Sequence, residues 1–336
     1  MTKNQRLYSL IETRKSIPSS VLFHPILMHF AARFNGKTYS EFASDYRVLV
    51  ESNVRCLEYF DHDALGVISD PYRETAAFGA EVRFPGDSVP ICTDKIVRTM
   101  DDVKALKNPD VYKNERTLDR IRGVEYYKQL LGDDVPIIGW IEGPLAEACD
   151  LAGVTDVLIK LAIEPDFARR LMDTCIITAK DFARAQVEAG CNVMGVGDAI
   201  CSQISPTMYE DFVFPLHREL FGYIHSLDVP VKLHICGNIT HLLPKLKDTG
   251  ADIIDIDWMV DMEKAHIVVG DGVTLCGNLD PVSVVQNQSA AELLEVSRNL
   301  ISSESGRNFI FSGGCEITVN TPVENLKVMR EAKGNR

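Results

Sequence analysis

The side chains best suited to chemistry lie in two short segments, His234 and Cys236 within VKLHICG and Cys315 within NFIFSGGC. Residues two apart on a strand point the same way, so His234 and Cys236 can share one ion. An imidazole and two thiolates make a borderline-soft donor set suited to tetrahedral zinc, and three protein ligands leave a fourth position for water, a weak carboxylate or a substrate atom. That is a catalytic rather than a closed structural pattern. Asp257, the acid closing the apolar run ADIIDIDW, is the expected displaceable fourth ligand, with Asp255 as its rival. Against this, a His-x-Cys triplet arises by accident, and a core cysteine is more often a small buried hydrophobe. Cys56, Cys92, Cys149, Cys175, Cys191, Cys201 and Cys276 read that way, with Cys276 the nearest competitor for a ligand position.

Other polar residues also close apolar runs. Asp198 and Glu142 suit a general acid and base, or equally the orientation of a histidine. His29, Asn278 and Glu316 are expected to bind substrate, although His24 and His29 also read as structural residues of an apolar segment. Asn278 and Asp280, in GNLDP, equally suit a βα turn. No Gly-x-Ser-x-Gly elbow occurs, which leaves a serine nucleophile without support.

The elements that must position these groups show as eight short apolar runs: 20–30, 64–69, 135–142, 192–198, 231–237, 251–258, 273–278 and 308–315. Most are continuously hydrophobic, as parallel strands buried on both faces are. Between them lie helical patterns over 39–60 and 165–190, an N-cap and first-turn proline at Ser205-Pro206, and a capping box from Ser289 to Glu292. Eight strands alternating with helices predict an α/β fold, a single-domain (β/α)8 TIM barrel spanning 1–336, whose strand C-termini carry the active site. A doubly wound sheet is the alternative, but neither GxGxxG after the first strand nor GxxxxGK[ST] is present. The interval 70–134, with the turn FPGDSVP and a charged stretch over 104–125, reads as a hairpin and solvated helix inserted over the barrel mouth.

The chain has 336 residues, 46% hydrophobic, and a net charge of −13 from 48 acidic and 35 basic side chains, which works against grasping a phosphate backbone. Nine cysteines, an odd number at irregular intervals, suit reduced thiols and a cytoplasmic location. The opening MTKNQRLYSLIETRK lacks the apolar run of a secretory signal, and the stretch 21–32 is shorter than the roughly 20 residues of a membrane span.

At IEGPLAEACDLAG from Ile141, ISPTMYEDFVFP from Ile204, HICGN from His234, CGNLDP from Cys276 and SGGCEITVNTPVEN from Ser312, the chain resembles the uroporphyrinogen decarboxylase superfamily. Within it the resemblance is to the zinc-dependent corrinoid methyltransferases, which include methylcobalamin:coenzyme M methyltransferases. That resemblance implies a uroporphyrinogen decarboxylase-like barrel, zinc on His234, Cys236 and Cys315, and Asp257 as an exchangeable ligand. It implies methyl transfer between a corrinoid and a zinc-activated thiol or small methylated substrate, in a direction the residues leave open. The corrinoid-carrying pattern Asp-x-His-x-x-Gly is absent, since Asp61-His62-Asp63-Ala64-Leu65-Gly66 has its histidine one place early. Free methylcobalamin or a separate corrinoid protein docking over the mouth, with 70–134 as its footprint, is therefore implied. The decarboxylase is the alternative. It is expected to carry Arg-Gln-Ala-Gly-Arg where this chain has His29, Phe30, Ala31, Ala32 and Arg33, and Gly-His-Gly where it has Gly314, Cys315 and Glu316. A polycarboxylate tetrapyrrole would find too few cations. A metal-free binding barrel is the third reading.

Overall fold

Valine, isoleucine and glycine dominate the apolar runs, and such segments are stable as strands only when both faces are covered. A computed structural model, which describes residues 1–13 and 21–334, places eight of them side by side: β1 (Leu22–Phe23), β2 (Leu65–Gly66), β3 (Ile137–Glu142), β4 (Val193–Gly197), β5 (Val231–His234), β6 (Ile253–Ile256), β7 (Thr274–Leu279) and β8 (Phe309–Gly313). All pairings are parallel, in the order β1-β8-β7-β6-β5-β4-β3-β2, with helices between successive strands. This is the expected TIM-barrel architecture. Its register sets Glu142 beside Gly197, Gly197 beside His234 and His234 beside Asp255, so that one rim gathers the ends of four strands.

The curled sheet closes between β1 and β2 through one residue. Asp63 donates its N–H to the Phe23 carbonyl (2.7 Å), and the Phe23 N–H donates to Asp63 Oδ2 (2.8 Å). The Asp63 carboxylate also receives Arg6 and Lys333, while Asp61 receives Lys3 (2.6 Å) and Arg330 (2.9 Å), so opposite charge from both ends of the chain compensates the buried acid. The helix Lys3–Thr13 turns Leu7, Leu10 and Ile11 against Leu22, Ile138, Val193, Ile253, Cys276 and Ile310 in a small separate core. The larger core lies between sheet and helices.

Several expected boundaries shift. Of the run 20–30, Ser20 lies outside the described residues, and the strand ends at Phe23; Pro25, which cannot donate to a ladder, follows, and His29–Phe34 is helical. His29 therefore sits in the first turn of a helix and not on a strand. The stretch 39–60 is two helices, Tyr39–Ser44 and Tyr46–Phe60, divided at Asp45, whose side chain caps the second by accepting from the Arg47 N–H. Ser205 and Ser289 cap as expected. Within 70–134, Arg83 and Ile91 form an antiparallel bridge at the FPGDSVP turn, but the charged stretch is not simply solvated: the helix Glu115–Leu131 buries Arg120, Ile121, Val124 and Tyr127 and occupies the regular position between β2 and β3.

Candidate metal centre and active-site cavity

Three donor atoms meet at the C-terminal rim. His234 ends β5, Cys236 lies two residues beyond it, and Cys315 follows β8. His234 Nε2 is 3.0 Å from Cys236 Sγ and 3.8 Å from Cys315 Sγ, and the two sulfurs are 3.6 Å apart. The loop carrying Cys315 can approach because Gly314 has no side chain: a Cβ there would lie 2.4 Å from the Trp258 amide nitrogen.

The other ring nitrogen of His234 is committed. Nδ1 is 2.8 Å from Asp255 Oδ2, and Asp255 Oδ1 receives Lys232, both deep in the barrel. Burial opposes ionisation of Asp255, but Lys232 and His234 hold it below the usual carboxylate range. A carboxylate on Nδ1 fixes the tautomer that turns Nε2 toward the sulfurs. Asp255 is thus the partner of the histidine rather than a donor of the cluster. Asp257 is not within the group whose donor atoms all lie within 4.8 Å; its Oδ2 accepts from the Gly237 N–H (2.6 Å), and its buried Oδ1 makes no hydrogen bond of normal geometry among the described residues. Cys276 is in the small core with Ile253 and Ile310 and is not among the three grouped donors.

Protons are unevenly shared here. Donation from the Cys236 thiol, followed by His234 and opposed by burial, brings Cys315 down to about 4, while Cys236 is pushed up by that same bond and by burial. Against burial, the bond to Asp255 and the neighbouring Cys315 hold His234 up at about 10. These shifts favour a charged imidazole beside a thiolate at Cys315 and a protonated Cys236 when no metal is bound.

Above these donors lies a cavity of about 250 Å³ lined by Ile26, Met28, Ile68, Val89 and Trp140 together with Ser69, Asp70, Glu142 and Glu316. Trp140 packs against His234 with ring centroids 5.9 Å apart, in space left by Gly195, where a Cβ would lie 2.4 Å from the indole. Glu142 Oε1 accepts from Arg73 (2.8 Å) and the Trp140 Nε1–H (3.3 Å), and burial raises its pKa well above the usual range. Glu316 Oε1 accepts from the His29 N–H (3.0 Å), and burial brings its carboxyl up to about 7.

The remaining expected site residues stand outside this lining. His29 bonds Asp87 (3.0 Å) and stacks on Tyr39; its contribution is the amide that holds Glu316. Asn278 donates to the Val260 carbonyl (2.8 Å), tethering the loop that follows Asp257, and Asp280 caps the turn Pro281–Gln286. Asp198 is fully buried: Oδ1 accepts from the Ala146 N–H (2.7 Å) at the start of the helix Pro144–Ala152, and Oδ2 lies 2.9 Å from His217 Nε2. Of its two expected roles, orienting a histidine matches this placement; an acid or base at the cavity does not. Asp70, Trp140 and Lys232 were not singled out as site residues. Asp70 follows an apolar run and Lys232 interrupts one, and both signals were present in the sequence.

The uroporphyrinogen decarboxylase (URO-D) family model matches residues 2–335. The chain belongs to that family. Its relatives divide between two activities at similar distance. It is 29% identical over 279 residues to the methylcobamide:CoM methyltransferase MtbA of Methanosarcina acetivorans, covering 81% of this chain and 80% of that one. It is also 29% identical over 302 residues to the uroporphyrinogen decarboxylase of Geobacter metallireducens, covering 88% and 86%. Among solved structures, a methyltransferase from Methanosarcina mazei superimposes with a TM-score of 0.88 over 99% of this URO-D family chain and 98% of that one at 21% identity, a likeness of fold. No described helix is long and apolar enough to cross a membrane.

Proposed function

We propose that this URO-D family member is a zinc-dependent methyltransferase that moves a methyl group between a corrinoid and a thiol or small methylated substrate. The observation that carries the reading is the His234–Cys236–Cys315 triad, with donor atoms 3.0–3.8 Å apart at the cavity and the histidine tautomer set by Asp255. The triad's geometry and donor chemistry suit zinc, and the buried Oδ1 of Asp257, which makes no hydrogen bond of normal geometry among the described residues, supports an exchangeable carboxylate nearby. Zinc bound there would stabilise a substrate thiolate at neutral pH.

The chain's own groups do the rest. Asp255 and Lys232 hold His234, while Ile26, Met28, Ile68 and Trp140 keep the cavity largely apolar and limit water around the sulfur. In the thiol direction sulfur forms its bond to the methyl carbon as the cobalt–carbon bond breaks, the bonding pair remaining on cobalt and the thiol proton passing to solvent. Glu142 relays that proton in this reading, which its position in the cavity lining and an Oε2 free of hydrogen bonds among the described residues support. A cavity of about 250 Å³ falls below the roughly 300–1,000 Å³ of drug-sized pockets, so the corrinoid must be presented over the mouth, free or on a partner protein. Asp70, Pro71 and Val89, from the segment after β2, line that mouth and are the first place to seek the footprint.

Metal analysis of protein purified without chelator tests the reading, together with the loss of the methyl–cobalt spectrum when methylcobalamin and thiols are added. About one zinc per chain, lost in His234→Ala, Cys236→Ala and Cys315→Ala, is expected. Zinc at background in the unaltered protein overturns it.

A further inference from the structure

The cavity has a charge character that constrains its substrate. Its polar side chains apart from the three donors are Ser69, Asp70, Glu142 and Glu316, and no lysine or arginine lines it among the described residues. Nearby cations are already engaged. Arg73 is fully buried against Glu142 and Glu74, Arg116 reaches Asp70, and Lys232 lies beneath His234 on Asp255. Arg33 opens onto a different pocket and bonds Asn320 (2.9 Å). An anionic substituent would therefore be desolvated without a counter-charge from the lining. Carboxyl groups supply no positive charge in either protonation state.

The same carboxyls favour the opposite ligand. Glu142 and Glu316 each have one oxygen committed to the protein, to Arg73 and Trp140 in one case and to the His29 amide in the other. For each, the second oxygen takes no hydrogen bond among the described residues, and both side chains line the cavity. Two such acceptors beside a metal-capable triad suit a molecule with sulfur at one end and a hydrogen-bond donor at the other.

We infer that the thiol substrate is small and carries an amine or hydroxyl at its far end rather than a sulfonate, carboxylate or phosphate. The inference rests on the methyltransferase reading above and narrows its substrate. It separates this chain from a relative whose name specifies CoM.

Three two-carbon thiols that differ only in the terminal group provide the test: 2-aminoethanethiol, 2-mercaptoethanol and 2-mercaptoethanesulfonate. Binding to the full chain carrying cobalt(II) is read from the thiolate-to-cobalt absorption, and methyl transfer with the zinc protein from loss of the methylcobalamin spectrum, both corrected for the fraction of thiol ionised. Sulfonate binding at least about tenfold weaker than either other thiol is expected, since 1.4 kcal/mol corresponds to a factor of ten. Glu142→Gln and Glu316→Gln, which keep shape but replace an accepting carboxyl oxygen by an amide nitrogen, should each reduce the preference for ammonium over hydroxyl. Sulfonate binding as tightly as the others, or ratios unmoved in both variants, overturns the inference. The expected ranking with no methyl transfer to any thiol overturns the thiol direction of the methyltransferase reading and leaves only the charge selection of the cavity standing.

Discussion

Among the described residues two clusters built on histidine and cysteine, the second with an aspartate, bring their donor atoms within 4.8 Å of one another. In the first, His234, Cys236 and Cys315 border a cavity, and the acid bonded to the histidine, Asp255, stands behind it on Nδ1. In the second, Asp198, Cys201 and His217 are all 0% exposed. There the imidazole is bonded at both nitrogens, to Asp198 and to Tyr209 (2.9 Å each), and Asp198 also accepts from the helix Pro144–Ala152. Residue type and proximity are shared; what differs is whether lone pairs remain for a ligand and whether a ligand can arrive. The first cluster is open to a ligand, and the second ties a helix to the barrel.

The sharpest way to break this contrast is to remove a donor. Cys315→Ala should lose essentially all bound zinc and methyl transfer, measured by metal analysis and by the methylcobalamin assay; full zinc retention would mean that the second cluster holds the ion. Next comes the support of the histidine. Asp255→Asn should weaken zinc by about 10–100-fold in a chelator competition, with the triad intact.

Thiol chemistry sharpens the contrast further. In metal-free protein Cys315, lowered to about 4, should react with iodoacetamide at least about tenfold faster than Cys201, whose thiol burial pushes well up. Because a lowered thiol gives up its charge only when pH falls through its pKa, that reaction should stay nearly flat from pH 8 to about 5 and decline near 4; peptide mapping identifies the modified residue. Zinc should protect it. Zinc must also displace the proton of His234, held to about 10, so its affinity should rise with pH across neutrality. The smallest effect is expected in the second cluster. His217→Gln should leave zinc content unchanged and lower stability by about 1–3 kcal/mol in urea unfolding, the cost of leaving Asp198 and Tyr209 short of a buried partner.

The metal-capable triad was legible because its logic needs only alternation along a strand and the rule that barrel chemistry sits at strand ends. The eight-strand rhythm was legible for a similar reason, since strands buried on both faces advertise themselves by unbroken hydrophobicity. What escaped depends on contacts distant in sequence. Nothing in GNLDP tells whether Asn278 faces substrate or, as found, the Val260 carbonyl. The charged surface of the helix Glu115–Leu131 hides a buried Arg120, whose placement is set by the Ala43 carbonyl and Asp119. Asp70 opens the interval that reads as an insertion, although the strand-end rule that selects Asp198 applies equally to it.

The stitch at Asp63 has a consequence in time. Chains emerge from the ribosome N-terminal end first, and the strands from β2 to β8 can pair with neighbours in the order they are made. β1 cannot: its ladder partner is β8, some 290 residues later, and the Asp63 seam is neutralised partly by Lys333. The first strand synthesised is thus the last to be paired. Until β8 is made, β1 lacks its ladder partner, and the cavity wall at Ile26 and Met28 that follows β1 lacks that support.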